Sequence, residues 1–238
     1  MKLRINGLVA AVMIMGAAGV VLAQGGAPAK KTPPATKPPV AAAGPFDKAL
    51  LTPSTLNAKA PDAFDVKFST TAGDFVVHVT REWAPNGADR FYNLVKHHYF
   101  DGAAFFRVIQ GFMAQFGLSA YSEVNAAMSN APIKDDPVLK SNTRGMVTFA
   151  QTSQPNSRDT QLFINFANNT GLDGQRFAPI GEVTSGMESV DKIYNGYGES
   201  PDQGQITAHG KTYLEKQFPK LTTITSATLV TAAAAPKP

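Results

Sequence analysis

The sequence predicts a mainly β domain, arranged as a closed or nearly closed antiparallel barrel that two α-helices cap. Three observations lead to this prediction. Short segments alternate apolar and polar residues, glycine-rich turns separate them, and only two stretches repeat apolar residues at helical spacing. Many short strands with few helices are typical of barrels, and 238 residues are enough for one such domain.

A β-hairpin opens the predicted domain. Residues 64–68 and 75–79 alternate as strands do, on either side of turn-forming residues at 71–74. The first helix is predicted to begin near Pro85, because apolar residues recur at spacings of three and four through 91–95.

The other predicted strands combine β-branched and aromatic residues beside turns, and they lie at 104–109, 112–115, 145–150, 161–166 and 222–230. The second helix is predicted from Gly186 to Tyr194, where apolar residues line one face. Residues 198–218 are long for a connection in such a domain. Apart from a candidate helix at 213–218, the sequence assigns them no role.

The two ends of the chain differ from the middle in composition. Residues 1–23 are predicted to be a signal peptide, because a basic start precedes an apolar run of about 16 residues and a small-residue cleavage site. That run is shorter than the roughly 20 residues of a membrane span, so cleavage is favoured over retention as an anchor. A Pro/Ala/Lys-rich flexible tether is predicted at 24–60, the domain at 61–231 and a disordered tail at 232–238. We therefore expect a periplasmic or secreted protein without stable membrane insertion after cleavage.

The charge distribution argues against a nucleic-acid partner. The formal net charge is +4, but residues 1–44 hold five basic residues and no acidic one, which leaves 17 basic and 18 acidic residues in the remainder. A basic footprint for phosphate backbones is therefore missing from the predicted domain. The chain has no cysteine, which excludes disulfides and thiolate chemistry, and the four histidines do not form a recognisable metal pair.

The densest motif spans residues 105–115 and reads FFRVIQGFMAQ. Strand alternation predicts that Met113 and Gln115 lie on one face, and a hairpin would bring Arg107 onto the same surface. An arginine among aromatic residues must reach solvent, pair, or face a ligand, since a buried unpaired charge is very costly. The competing interpretation is a surface arginine that pairs with a carboxylate such as Asp135 or Asp136.

Two further motifs follow in order. Residues 145–151 read GMVTFAQ, with TQLFI at 160–164, and residues 171–181 read GLDGQRFAPIG. Together the three motifs resemble the cyclophilin family of peptidyl-prolyl cis–trans isomerases, over about residues 64–230. The resemblance implies a closed eight-stranded antiparallel barrel with two capping helices. With the export signal, it implies an exported bacterial isomerase that needs no cofactor or metal and acts, as a monomer, on proline-containing unfolded or partly folded polypeptides.

The resemblance also implies roles for individual residues. Arg107 matches the family's catalytic arginine, and Gln115 matches a glutamine that orients this arginine and the substrate. Phe112, which matches a residue of the proline pocket, completes the predicted catalytic group. The predicted substrate-binding residues are Met113, Ala150, Gln151, Gln161, Phe163, Leu172 and Phe177.

Three positions depart from the family pattern. Gly171 stands where many eukaryotic members have a tryptophan that helps to hold cyclosporin, so we expect weak inhibition by that drug. The pocket histidine of the family has its best match in Phe177, with Arg176 as the second candidate. Gln151 stands where asparagine is more common.

Two other functions compete with the isomerase interpretation. The first is a proline-peptide binding module or holdase chaperone with little catalysis, which the departures at Gly171 and Phe177 favour. The second is an interaction protein of the cell envelope, anchored through an uncleaved signal and spaced from the membrane by the tether.

Overall fold

The computed structural model describes residues 46–230, and its centre is one eight-stranded antiparallel sheet. In chain order the strands are β1 (Ala63–Thr70), β2 (Gly73–Thr80), β3 (Arg107–Ile109), β4 (Met113–Phe116), β5 (Met146–Phe149), β6 (Leu162–Asn165), β7 (Pro179–Ser185) and β8 (Ile224–Val230). The mainly β prediction is confirmed. The predicted signal peptide, the tether up to residue 45 and the tail from residue 231 lie outside the described residues.

The barrel is open, which corrects the prediction of a closed one. The strand order is β3-β4-β6-β5-β7-β2-β1-β8, so β3 and β8 are the two edges of a curled half-barrel. Near these edges an isolated bridge joins Ala104 to Thr223. β3 has only three residues, and its Val108 amide donates to the carbonyl of Gly198 at 3.1 Å. The backbone amide of Val108 on the edge strand β3 therefore donates its hydrogen bond to a loop and not to another strand.

The first two strands form the predicted hairpin. β1 and β2 pair from Ala63 opposite Thr80 to Thr70 opposite Gly73, around a two-residue turn. Alternate side chains enter the core, and the rings of Phe68 and Phe75 stack with centroids 4.9 Å apart. Residues 64–68 and 75–79 are thus strands, as predicted, and they supply one wall of the core.

Five α-helices lie within residues 46–230, where the sequence predicted two. They are α1 (Pro85–Lys96), α2 (Ser122–Met128), α3 (Met187–Val190), α4 (Gln203–His209) and α5 (Lys211–Gln217). The first predicted helix is confirmed as α1, whereas only four residues of the second are helical, as α3. The candidate helix at 213–218 overlaps α5. The helices α2 and α4 are short and bury only three residues and one residue, so periodicity over a longer window misses them. None of the helices in the described part of the chain is long and apolar enough to cross a membrane.

Residues 198–218, to which no function is assigned from the sequence, carry α4 and α5. Their buried residues Ile206 and Leu214 belong to a second hydrophobic cluster, separate from the main core, which also contains Phe106. Phe106 directly precedes the edge strand β3, so this cluster ties the segment to that edge.

The domain begins earlier than predicted. Residues 46–60 were assigned to the tether, yet Leu50 is 1% exposed and belongs to the main core together with Leu56. The backbone amide of Ala60 donates to Asp89 on α1 at 2.9 Å. The Pro/Ala/Lys-rich composition conceals these few apolar residues, which are enough to hold the segment against the core.

A substitution pair tests this revised boundary. Leu50→Ala is expected to lower the free energy of unfolding by about 2–4 kcal/mol, because it removes a fully buried side chain and leaves a cavity. The neighbouring Leu51 is 42% exposed, so Leu51→Ala should cost less than about 0.5 kcal/mol. Urea denaturation of both variants measures the difference. Equal, small losses would mean that residues 46–60 do not belong to the folded domain.

Candidate functional site

Nine of the ten predicted site residues line one cleft of about 130 Å³. These are Arg107, Phe112, Met113, Gln115, Ala150, Gln151, Phe163, Leu172 and Phe177. The tenth, Gln161, lines a second pocket of about 270 Å³. The two pockets share Gln115, Ala150 and Gln151, so the predicted residues form a single groove with two compartments.

Strand register brings the polar centre of this groove together. Gly111 has a φ of 74° and reverses the chain between β3 and β4, which favours glycine because other residues rarely adopt that conformation. In the resulting hairpin Arg107 lies opposite Gln115. Gln115 in turn lies opposite Phe163 on β6. Three adjacent strands therefore present these three side chains in one row.

The guanidinium of Arg107 lies at the groove. Its Nη1 donates to Oε1 of Gln115 at 3.3 Å and lies 3.9 Å from Sδ of Met113. Gln115, only 7% exposed, donates through Nε2 to Oε1 of Gln161 at 3.0 Å. The side chain of Arg107 is 30% exposed. Arginine stays charged at all relevant pH values, so the cleft contains a permanent, half-buried positive donor.

Arg107 does pair with a carboxylate, as the competing interpretation expects, but the partner is Glu199 and not Asp135 or Asp136. Asp136 pairs with the buried Arg158, with 3.0 Å between Oδ2 and Nη2. Its two carboxylate oxygens also accept from the amides of Asn86 and Gly87 at the start of α1. Asp135 lies near Arg158 and Arg176. The Asp136 carboxylate therefore serves the helix start and Arg158, and the Asp135 carboxylate lies beside two other arginines, so neither is available to Arg107.

Aromatic and aliphatic side chains form the rest of the cleft. Met113 and Phe163 are almost fully buried, and the ring of Phe177 stands edge-on to that of Phe163 with centroids 5.7 Å apart. Of the two candidates for the pocket-histidine position, Phe177 lines the cleft, whereas Arg176 is half-exposed and its Nη1 lies 3.5 Å from Asp135. That wall of the cleft is therefore apolar.

A 3-10 turn at Thr170–Gln175 carries Leu172 into the cleft. Asp173 fixes this turn by accepting from the Ser141 hydroxyl and from the amide and side chain of Asn142, the latter two at 2.9 and 2.8 Å. Burial raises the pKa of Asp173, but these hydrogen bonds outweigh it and leave the pKa below its usual value. A Cβ at Gly171 would have no neighbour within 4 Å. The space beside Leu172 is open, and weak cyclosporin inhibition stays a prediction.

The second compartment offers polar groups. Gln151 donates through Nε2 to the carbonyl of Gln175 at 2.9 Å, while its buried Oε1 has no hydrogen-bond partner among the described residues. Gln203 on α4 also lines this compartment. An unpaired buried acceptor favours a ligand that brings an N–H group.

Sequence reasoning missed one contact at the site. Glu199, from the unassigned segment, places Oε1 2.6 Å from Nε of Arg107 and 2.5 Å from its Nη2. No motif signals this pair, because the two residues are 92 positions apart. In residues 46–230, no group of three or more histidine and acidic side chains is arranged to hold a metal ion.

Comparison with known proteins agrees with the family that the motifs indicate. The family model described as cyclophilin type peptidyl-prolyl cis-trans isomerase/CLD matches residues 65–211. A peptidyl-prolyl cis-trans isomerase of Acinetobacter baylyi is 36% identical over 135 residues, which are 55% of this chain and 71% of that protein. Peptidyl-prolyl cis-trans isomerase B of Escherichia coli is 34% identical over 137 residues, which are 54% of this chain and 82% of that protein.

A solved structure supports the fold. A cyclophilin type peptidyl-prolyl cis-trans isomerase of Cryptosporidium parvum, determined in the presence of the dipeptide Ala-Pro, superimposes with a TM-score of 0.52 at 18% identity. The alignment covers 71% of this chain and 99% of that one. On the family match and on these relatives, the chain belongs to the cyclophilin-type peptidyl-prolyl cis–trans isomerases.

Proposed function

We propose that this isomerase accelerates rotation about X–Pro bonds in exported polypeptides while they fold, with Arg107 as the catalytic group. The observation that supports it most is the half-buried guanidinium beside an apolar cleft, with Nη1 directed at Gln115. The cleft is also small, about 130 Å³, a size that suits one proline ring.

The physical task is to stabilise a twisted amide. Rotation must break amide resonance, at a barrier of ~18–20 kcal/mol, and without catalysis it takes ~10–100 s. As the bond twists, the prolyl nitrogen becomes pyramidal and gains a lone pair. A guanidinium beside it can donate to that lone pair, which the planar ground state does not offer. The interaction is then stronger in the transition state than in the substrate, which is the condition for catalysis.

The neighbouring residues divide the remaining work. Phe112, Met113, Phe163 and Leu172 hold the ring while the preceding carbonyl swings, and Phe177 closes the apolar wall. Gln115 keeps the guanidinium directed at the ring. The Cryptosporidium relative was solved in the presence of Ala-Pro, and we assign the corresponding dipeptide of a client to this cleft.

The second compartment receives the residues that precede the proline. Ala150, Gln151 and Gln161 line it, and the unpaired Oε1 of Gln151 is a suitable acceptor for a client backbone N–H. The partners are thus proline-containing polypeptides that are unfolded or partly folded, since only an accessible backbone reaches an open groove. The domain is proposed to act as a monomer.

The proposed site of action is outside the cytoplasm, in the periplasm or the medium. The support is the sequence of residues 1–23, where Lys2 and Arg4 precede an apolar run and a small-residue cleavage site. The relatives compared above from Acinetobacter and Escherichia are bacterial, which agrees with a bacterial origin.

Substitution of Arg107 tests the catalytic proposal. Arg107→Ala is expected to lower kcat/KM on a proline tetrapeptide about 100-fold or more, the range seen when one transition-state donor is lost. Arg107→Lys should lose at least about tenfold, because an ammonium lacks the planar fork of donors. A protease-coupled assay on the purified chain measures both.

Arg81 provides a matched control, because it pairs with Asp89 on α1 and does not line the cleft. Arg81→Ala should leave turnover unchanged. If Arg107→Ala isomerises as fast as the parent, the proposed mechanism is wrong. Peptide affinity with turnover near background in the parent chain would favour the holdase interpretation instead.

Sequencing the amino terminus of the protein from the producing cells tests export. We expect the mature chain to start at Gln24, because cleavage after Val21-Leu22-Ala23 matches the small-residue rule. The protein should appear in the periplasmic or medium fraction. A chain that starts at Met1 and sediments with membranes would favour the anchored alternative.

A further inference from the structure

We propose that Glu199 is a positioning residue, which holds Arg107 in its working orientation before a substrate binds. The proposal rests on the proposed role of Arg107 in isomerisation and extends it to a segment that no motif covers. It starts from the contacts of the guanidinium, because its nitrogen atoms contact two different parts of the chain.

One edge of the guanidinium belongs to Glu199. A single carboxylate oxygen, Oε1, lies 2.6 Å from Nε and 2.5 Å from Nη2 of Arg107. The remaining nitrogen, Nη1, faces Gln115 and Met113 in the cleft. The carboxylate thus occupies the donors that do not face the cleft and leaves Nη1 as the donor at the substrate.

The backbone brings Glu199 to this place independently of the ion pair. The carbonyl of Gly198 accepts from the amide of Val108, the residue that follows Arg107 on β3, at 3.1 Å. The turn is closed by the amide of Ser200, which donates to Tyr197 at 2.9 Å. Gly198 itself has a φ of 54°. The turn is therefore docked on the edge strand through main-chain groups, and a change of the Glu199 side chain should not release it.

Aromatic packing also holds the turn at 197–200 in place. The ring of Tyr197 stands edge-on to Phe218 with centroids 5.1 Å apart, and both pack against the second hydrophobic cluster. That cluster also contains Phe106, which directly precedes Arg107. The segment that carries α4 and α5 and the residue before the arginine thus pack in the same cluster.

Preordering of the arginine has a physical benefit. A free arginine side chain loses rotamer freedom when it is fixed, at a cost in free energy. If Glu199 fixes it in the free protein, that cost is not met again when the guanidinium donates to the twisted imide in the transition state. The side chain of Glu199 is 60% exposed and that of Arg107 is 30% exposed, so water screens the pair and its contribution is moderate.

Steady-state kinetics of Glu199 variants test the proposal. Glu199→Ala is expected to lower kcat on a proline tetrapeptide about two- to fivefold with little change in KM, the range that an exposed ion pair supports. Glu199→Gln keeps an acceptor without the charge and should fall between Glu199→Ala and the parent. Glu215 on α5 is exposed, lies in the same segment 198–218 and lines neither compartment. Glu215→Ala is therefore the charge-matched control, and it should change neither kcat nor KM.

A double-mutant cycle shows whether Glu199 acts through Arg107. On the Arg107→Ala background, Glu199→Ala should have no further effect, because the group it positions is gone. The same loss on both backgrounds would overturn the proposal. So would turnover equal to that of the parent, or faster turnover, which would mean that the carboxylate competes with the substrate for the guanidinium.

NMR of the Arg107 Nε–Hε group separates this proposal from the proposed function. In the parent chain its proton should exchange slowly with water, at least about threefold more slowly than in Glu199→Ala, because Nε–H donates to a carboxylate. Glu215→Ala should match the parent. Unchanged exchange in Glu199→Ala would overturn the positioning role even if the enzyme is active. Turnover at background with protected Hε would instead refute the isomerase mechanism and leave the contact established.

Discussion

The account depends on one constraint: a permanently charged guanidinium must lie beside an apolar cleft, and the nitrogen that faces the cleft must not be paired with a carboxylate. An unpaired charge beside an apolar cleft is costly in free energy, and the structure reduces this cost by placing polar partners around the guanidinium. Gln115 accepts from Nη1 at 3.3 Å, and Glu199 accepts from Nε and Nη2 on the far edge. The nitrogen that faces the cleft, Nη1, therefore remains able to donate to a substrate. Among the described residues, its only close hydrogen-bonding oxygen belongs to the neutral amide of Gln115.

The fold serves this constraint through its edge. β3 is a three-residue edge strand, so one side of it is free to accept a segment from elsewhere in the chain. The carbonyl of Gly198 accepts from the Val108 amide on that side. The segment that follows Gly198 contributes Gln203 to the second compartment of the groove. A barrel closed by pairing of β3 with β8 would leave no such position for Glu199. The open edge and the arrangement of the site are therefore connected.

Local register predicted the polar centre of the cleft, whereas the resemblance to the cyclophilin family supplied its other residues. The FFRVIQGFMAQ motif contains its own turn at Gly111, so the pairing of Arg107 with Gln115 follows from a hairpin of adjacent residues. The same reasoning identified the β1–β2 hairpin and α1. Features that depend on distant contacts were not predictable in this way. Glu199 reaches Arg107 across 92 positions, and the burial of Leu50 depends on a core formed by later residues. The short helices α2 and α4 are stabilised by packing and lack a long periodic pattern.

The most direct test of the central claim is a crystal structure of the protein with a bound proline tetrapeptide. The account predicts that the ring lies among Phe112, Met113, Phe163 and Leu172, with Nη1 of Arg107 within about 3 Å of the prolyl nitrogen or its carbonyl neighbour. The residues before the proline should extend toward Gln151 and Gln161. A ring bound outside this cleft, or a guanidinium turned away from the bound imide, would contradict the account.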